Sequence, residues 1–228
     1  MQVQGPTSFA VLHALTDGAI TEKMGYFHAE FFTIAGPEVY VSRTGWTGER
    51  GYEIYTRAGT DCPKLWGRLM AVGTPQGMQF GSIASMNIRR FEAGILDNGT
   101  EFDLSMPPRE AGLGDFVDLD ANDFIDRKAV MTMSRGRRLF GLTCERVPGY
   151  RQPFLDNGKA VGNLTAGASS PFLGFGIGYA RMEDADDWVD STLTIYDAEG
   201  TLMPCTITDR PFYDPEKRIH RGLYRAIP

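Results

Sequence analysis

The sequence is poor in cysteine and histidine, and neither residue type is clustered. Its three cysteines are widely spaced and form no CxxC pair. This spacing excludes a cysteine zinc framework and is typical of a protein from a reducing compartment. The three histidines, His13, His28 and His220, also lie far apart. Their separation argues against a histidine metal site and against a Ser-His-Asp triad.

The chain also lacks an excess of positive charge and a long apolar run. Its formal net charge is −6 over 228 residues, which argues against a surface built for nucleic-acid phosphates, although one local arginine can still bind a small anion. No run approaches the roughly 18 apolar residues of a membrane helix, and no targeting segment opens the chain. The sequence therefore predicts a soluble cytoplasmic protein without a nucleic-acid or membrane partner.

The first part of the chain contains both strand and helix patterns. Phe31, Thr33 and Ala35 alternate with Phe32 and Ile34, and Val39 and Val41 alternate with Tyr40 and Ser42. This two-residue period on both sides of a Gly36-Pro37 turn predicts a hairpin, and residues 51–56 predict a further strand. Helical spacing of apolar residues predicts three helices, over residues 6–15, 60–73 and 82–95. This succession predicts an α+β fold with helices on one face of a sheet.

The pattern changes beyond residue 137. Five or six short strand patterns follow, separated by turns, and Asn157-Gly158 is a strong hairpin signal. Such a series predicts a small antiparallel barrel or sandwich. The basic segment SRGRR, residues 134–138, is the candidate linker. We therefore predict an α+β domain over residues 1–136 and an antiparallel β domain over residues 137–228.

One candidate site lies in the segment RTGWTGERGYEIY, residues 43–55. Three glycines in seven positions predict a loop shaped around a ligand or around another strand. Trp46 in this loop is either a platform for a flat ring or an anchor of the loop. Glu53 on the following strand is either solvated or a carboxylate that accepts a pair of hydrogen bonds from a heterocycle.

Two other segments are weaker candidates. Arg89 and Arg90 lie on the third predicted helix, and arginine favours recognition of carboxylate or phosphate. The alternative, expected for at least one of the two, is a surface position on the helix beside acidic partners. Residues 165–179, TAGASSPFLGFGIGY, predict a loop of glycine and serine that leads into a strand, and this loop is either part of a site or a plain connection.

Several segments together resemble the glycine-cleavage T-protein superfamily. This superfamily includes aminomethyltransferases, folate-dependent demethylases and the folate half of sarcosine and dimethylglycine dehydrogenases. The segments occur in the family's order: VQGP, SRTGWTGERGYEIY, RRFEAGI, PPREAGLGDFV, DFIDRKAV, GNLTAGASSP, IGYARM and RPFYDP. The resemblance covers essentially the whole chain. It implies an incomplete folate-binding α+β region followed by a C-terminal antiparallel β-barrel domain.

The resemblance also implies tetrahydrofolate as the cofactor and no metal. It implies that Glu53 binds the pterin ring and that Trp46, usually tyrosine in aminomethyltransferases, lines the same pocket. Arg90 is the third residue expected to bind the cofactor. The family's aminomethyltransferases usually have an arginine four residues before Arg90, where this chain has Met86. This departure shifts the resemblance towards the demethylase and sarcosine-dehydrogenase branches.

The function implied by the resemblance is transfer of an aminomethyl or methyl group, with folate and a one-carbon donor as small-molecule partners. VQGP lies near mid-protein in the family, so we expect a missing N-terminal portion that holds the catalytic aspartate, and the catalytic residues of this chain are unknown. The alternatives are a non-catalytic folate-binding or assembly module, one subunit of a two-chain enzyme, and a truncated gene product. Apolar surface left by a missing domain predicts a homo-oligomer or a partner chain.

Overall fold

A computed structural model describes residues 1–133 and 136–223. The chain divides into two compact units. The sheet unit comprises Met1–Arg89 and the segment from Asp214 onward, and the barrel unit comprises Arg90–Tyr213. Residues 134 and 135 of the predicted linker, and residues 224–228 of the predicted second domain, lie outside the described residues. Because the compact units divide at other positions, the domain boundary near residue 137 stays a prediction.

The sheet unit is built on a four-stranded antiparallel sheet. Its strand order is β1-β4-β3-β2, and the strands are β1 (Gln2–Gln4), β2 (Ala29–Thr33), β3 (Glu38–Ser42) and β4 (Gly51–Tyr55). The predicted hairpin is therefore confirmed as β2 and β3. The helices are α1 (Ser8–Leu15), α2 (Cys62–Gly73) and α3 (Ile83–Glu92), the last of which continues into the barrel unit. A short 3-10 turn, Thr74–Gln76, follows α2.

Helix α2 shows how local sequence sets an element of this unit. It begins after Asp61, whose carboxylate accepts the backbone N–H of Lys64 at 3.0 Å. Pro63 lies in its first turn, where the missing N–H has no intrahelical partner to lose. Leu65 and Leu69 then lie one turn apart on the buried side.

Helices α1 and α2 cover one face of the sheet. Its inward side chains form one core with those of α1 and α2: Val3, Val11, Leu12, Val39, Val41, Tyr52, Ile54, Leu65 and Leu69. The opposite face presents Phe31, Tyr40 and Tyr55 to solvent. The alternation of side chains along each strand produces this division, and the predicted α+β fold is confirmed.

The barrel unit contains six antiparallel strands closed in the order β10-β5-β8-β7-β6-β9. They are β5 (Leu139–Cys144), β6 (Pro153–Asp156), β7 (Lys159–Ser169), β8 (Gly176–Met182), β9 (Thr192–Tyr196) and β10 (Leu202–Thr208). The unit also holds a short helix, α4 (Arg127–Thr132), and a 3-10 turn at Gly114–Phe116. Because the six strands close into a ring, this β-structure is a barrel and not a sandwich. Asn157 and Gly158 join β6 to β7 with φ of 49° and 81°, which confirms the predicted hairpin.

The predicted loop over residues 165–179 is wrong in its first part. Residues Thr165 to Ser169 extend β7, and Ala168 pairs with Ile177 of β8. The glycines that suggested a loop serve the close approach of the two strands. A Cβ on Gly178 would lie 2.6 Å from the carbonyl oxygen of Ala166, so only glycine fits there.

Candidate functional site

The glycine-rich loop between β3 and β4 is filled by the side chain of Gln4. Gln4 Nε2 donates to the carbonyl oxygen of Thr44 at 3.3 Å, and Gln4 Oε1 accepts from Thr47 Oγ1 at 3.0 Å. A Cβ on either Gly45 or Gly51 would lie 2.0 Å from Gln4 Oε1. These two glycines therefore make room for a side chain of the protein itself. Sequence reasoning missed this role of Gln4, although the residue stands in the quoted VQGP segment.

Glu53 lies on the face of β4 opposite the helices and is half-buried. Its carboxylate accepts hydrogen bonds from Thr44 Oγ1 and, at 3.1 Å, from Gln2 Nε2. Burial raises the pKa of Tyr55, two residues further along, and the neighbouring Glu53 carboxylate raises it further. A carboxylate whose partners are a hydroxyl and an amide can exchange them for the N–H groups of a ligand.

An exposed aromatic row adjoins Glu53. Phe31, Tyr40 and Tyr55 are direct cross-strand neighbours on β2, β3 and β4. The ring centroids of the first two lie 4.8 Å apart, and those of the last two lie 6.4 Å apart. Ser42 and Glu53 form the next cross-strand pair on the same face. The arrangement places a hydrogen-bonding carboxylate next to a row of aromatic side chains, and both kinds of group can contact a flat heterocycle.

Trp46 belongs to the same loop as Thr44, whose hydroxyl binds Glu53. It is half-buried and lies immediately before Thr47, which is bonded to Gln4. The structure therefore places Trp46 and Glu53 in one short segment of the sheet unit. The two predicted roles of Trp46, contact with a flat ring and anchoring of the loop, both stay predictions.

Arg90 belongs to the barrel unit and is buried, in contrast to the predicted surface alternative. Its Nη1 and Nη2 atoms donate to the two carboxylate oxygens of Glu101 at 2.9 and 3.2 Å. Nη1 also donates to the carbonyl oxygen of Ile95 at 3.0 Å. This bidentate pair satisfies a buried charge within the barrel unit, so a ligand-binding role of Arg90 would require it to exchange these partners.

Arg89 lies beside a cavity of about 390 Å³ in the sheet unit. It pairs with Glu49 of the glycine-rich loop. The polar lining residues of the cavity include Gln2, Gln4, Thr47 and Arg89, and its apolar lining residues include Trp66, Phe80 and Met86. Glu53 and Trp46 do not line this cavity. Gln2, however, both lines it and donates to Glu53, so the cavity lies next to the candidate carboxylate.

The part of the chain that the structure describes shows neither of two other kinds of site. No three side chains among its histidines, cysteines, aspartates and glutamates are grouped as a metal site would require. None of the helices within residues 1–133 and 136–223 combines the length and apolar character needed to cross a membrane.

Comparisons with known proteins agree with the fold. The family model described as the GCVT N-terminal domain matches residues 1–121, and that of the glycine cleavage T-protein C-terminal barrel domain matches residues 137–214. The chain is 33% identical over 224 residues to an aminomethyltransferase of Streptomyces avermitilis, with 94% of this chain and 60% of the relative covered. It is 29% identical over 219 residues to that of Bacillus subtilis, with 93% and 60% covered.

A solved structure shows the same architecture. The crystal structure of glycine cleavage system aminomethyltransferase T from Bartonella henselae matches with a TM-score of 0.80 at 20% sequence identity. The match covers 93% of this chain and 58% of that one. The chain thus spans about three fifths of the length of the relatives that it matches.

Proposed function

The chain belongs to the glycine cleavage T-protein family, and on this basis we propose that it binds a reduced folate and takes part in the tetrahydrofolate-dependent transfer of a one-carbon group. The observation that carries the proposal is the half-buried carboxylate of Glu53, which lies beside the aromatic row on the face of the sheet opposite α1 and α2. The one-carbon group is an aminomethyl or a methyl group.

The residues around Glu53 fit a pterin ring. Such a ring is flat and has adjacent N–H donors along one edge, and a carboxylate can accept two of them at once. The present partners of Glu53, Thr44 Oγ1 and Gln2 Nε2, are uncharged. A ligand that replaces them removes no ion pair. Tyr40 and Tyr55 are exposed, and their rings offer contact area for a flat ligand.

In this proposal the protein supplies orientation. Glu53 fixes the edge of the pterin, and Trp46 contacts its face. Bringing two reactants into one geometry can lower the barrier of a bimolecular step by roughly 7–11 kcal/mol in favourable cases. No residue of this chain is assigned to proton transfer. A direct contact between Arg90 and the folate stays a prediction, because Arg90 is bonded to Glu101.

Calorimetric titration with tetrahydrofolate and with its 5-formyl analogue tests the proposal. We expect Glu53→Gln to weaken binding by roughly 1–3 kcal/mol, because one charge-assisted acceptor becomes a mismatched amide. The matched control is Glu38→Gln. Glu38 is a carboxylate on the same face of the sheet, but its partner is Arg57 at 3.0 Å, so its loss should leave affinity unchanged.

Trp46 variants sharpen the same titration. Trp46→Tyr should reduce affinity only slightly, whereas Trp46→Ala should reduce it more through lost ring contact. Melting curves measured alongside separate binding from stability. If Trp46→Ala lowers only the melting temperature, Trp46 is a loop anchor. Equal affinity of the wild type and Glu53→Gln would overturn the role of Glu53, and absence of binding to the wild type would overturn the folate proposal itself.

We also propose that this chain associates with a second copy or with a partner chain. Its exposed apolar side chains include Phe80 and Ile83, with relative exposures of 75% and 74%. Exposed apolar area of this kind commonly marks an interaction surface. Light scattering should therefore report a mass above 25.2 kDa. A monomer over a wide concentration range, without any co-purified chain, would contradict this proposal.

A further inference from the structure

A segment from the far end of the chain is fastened to the glycine-rich loop. We call residues 214–223 the strap; it belongs to the sheet unit. The Nδ1 atom of His220 lies 2.9 Å from the carbonyl oxygen of Gly48, 172 positions away in sequence. Arg43, at the start of the loop, donates from Nη1 to the carbonyl oxygen of His220 at 2.8 Å. One residue of the strap thus binds the loop at two points.

The strap has a defined conformation of its own. The carboxylate of Asp214 accepts the backbone N–H groups of Arg218 and Ile219, both at 2.8 Å. Ile219 and His220 are buried, with 7% and 8% exposure. Gly222 has φ of 77°, which favours glycine. These features present the imidazole of His220 to the loop in a fixed orientation.

The buried Arg43 explains why the loop depends on the strap. Arg43 is only 2% exposed, and its Nε atom has no hydrogen-bond partner. The centroids of the Tyr26 and Tyr52 rings lie 6.0 and 5.5 Å from its guanidinium carbon. The carbonyl oxygen of His220 accepts a hydrogen bond from this buried cation. Displacing the strap would remove that acceptor and destabilise the loop's first residue.

We propose that His220 is a positioning residue, which fixes the glycine-rich loop and, through the loop, Trp46 and Thr44. Gly48 has a φ of 73°, in the left-handed region that favours glycine, and this conformation sets the direction of its carbonyl group. The hydrogen bond from His220 to that carbonyl oxygen holds the conformation. The effect on ligand affinity rests on the proposed folate site, whereas the fastening of the loop by the strap does not depend on that site.

The fastening should depend on pH. Burial lowers the pKa of His220; the hydrogen bond to Gly48 and the charge of Asp214 oppose this effect, whereas Lys217 and Arg43 add to it. The Tyr26 ring also packs against the imidazole, at 5.1 Å between centroids. In the unfolded chain a histidine binds a proton below about pH 6.5. Because the pKa of His220 is lower in the folded protein, the folded state binds fewer protons below this pH than the unfolded state does. The stability that His220 contributes is therefore lost as the pH falls below about 6.5.

Hydrogen–deuterium exchange of the full chain without ligand tests the proposal. We expect His220→Ala to raise exchange of the amides in residues 43–51 by about tenfold, because the loop loses the bond that closes it. The matched control is His13→Ala. His13 Nδ1 lies 2.8 Å from the carbonyl oxygen of Ile20, so this variant removes a similar bond elsewhere in the sheet unit. Its exchange in residues 43–51 should equal that of the wild type.

The variant His220→Asn separates hydrogen bonding from bulk. Asparagine keeps an N–H donor but does not titrate, so it should restore slow exchange and abolish the extra loop opening of the wild type at about pH 5.5 relative to about pH 7.5. If His220→Ala does not fold, the pH response of loop exchange in the wild type and in His220→Asn still tests the proposal. Equal loop exchange in His220→Ala and His13→Ala, or an unchanged pH response in His220→Asn, would overturn the proposal.

Titration with 5-formyltetrahydrofolate then separates the two proposals. We expect His220→Ala to bind several-fold more weakly than His13→Ala, with His220→Asn close to the wild type. If the wild type binds no folate but the exchange results are as expected, the folate site fails and the strap stands. If the wild type binds folate and residues 43–51 exchange alike in both alanine variants, the strap fails and the folate site stands.

Discussion

The two units use β-structure in opposite ways. In the barrel unit, five of the six residues of β5 and six of the seven residues of β8 are buried. In the sheet unit, none of the five residues of β2 is buried, and one face of the sheet carries the aromatic row. Alternate side chains of β5 and β8 fill the closed barrel, and most of the others pack in a second buried cluster with residues such as Phe91 and Met106. The sheet, by contrast, keeps exposed aromatic side chains on the face opposite its helices. The candidate residues Glu53 and Trp46 lie in the open sheet unit.

Glycine shows the same contrast. In the sheet unit, Gly45 and Gly51 make room for the flexible end of the Gln4 side chain. In the barrel, a Cβ on Gly176 would lie 2.2 Å from the carbonyl oxygen of Arg146, and one on Gly178 would meet backbone as well. A side chain can move aside, but a paired strand cannot. A glycine-rich segment is therefore not by itself evidence of a ligand site.

Two adjacent arginines give the largest expected difference between the units. Arg90→Met should lower the free energy of unfolding by about 3–5 kcal/mol, because it leaves the buried Glu101 carboxylate without its partner. Arg89→Met should cost only about 0–1 kcal/mol, since Arg89 is partly exposed and its pair with Glu49 is screened by solvent. Urea unfolding of both variants measures the difference. Equal losses would show that Arg90 does not stabilise the barrel unit through this pair.

Truncation of a core residue and of a surface residue should differ by less. Leu142→Ala removes a fully buried side chain from the barrel interior and should cost about 2–5 kcal/mol of stability. Tyr40→Ala removes the central ring of the exposed aromatic row and should cost about 0.2–1 kcal/mol. Folate affinity should show the opposite order: Tyr40→Ala should reduce it, and Leu142→Ala should leave it unchanged. Thermal unfolding measures the stability losses of the two variants, and calorimetric titration measures their folate affinities. A large stability loss in Tyr40→Ala would place that face in a buried interface.

The smallest expected effect tests the role of the loop glycines. Gly45→Ala should cost about 1–3 kcal/mol, because the new methyl group displaces the Gln4 amide from its hydrogen bonds. In a Gln4→Ala background the same substitution should cost much less, since the displaced group is already absent. Unfolding of the four proteins in this cycle measures the coupling. Additive losses would mean that Gly45 serves something other than Gln4.

The sequence predicted much of the fold but less of the site. The hairpin of β2 and β3, helix α2 and the Asn157-Gly158 turn follow from periodicity and turn chemistry, which act over a few residues. The extension of β7 through Ser169 was missed, because it depends on pairing with β8. The predicted position of Glu53 on a strand beside the loop is confirmed, whereas its role in a ligand site stays a prediction. Its hydrogen bonds to Thr44 and Gln2 could not be predicted, because they join residues from three parts of the fold.

By itself, the sequence determined the α+β region, the run of antiparallel strands after it and the family, because these depend on local pattern and motif order. Only the tertiary structure decided which residues meet. It closed the barrel, filled the glycine-rich loop with Gln4 and paired Arg90 with Glu101. It also brought His220 to Gly48. Contacts of this kind join distant positions, and they form because burial requires each polar group to find a partner in the folded chain.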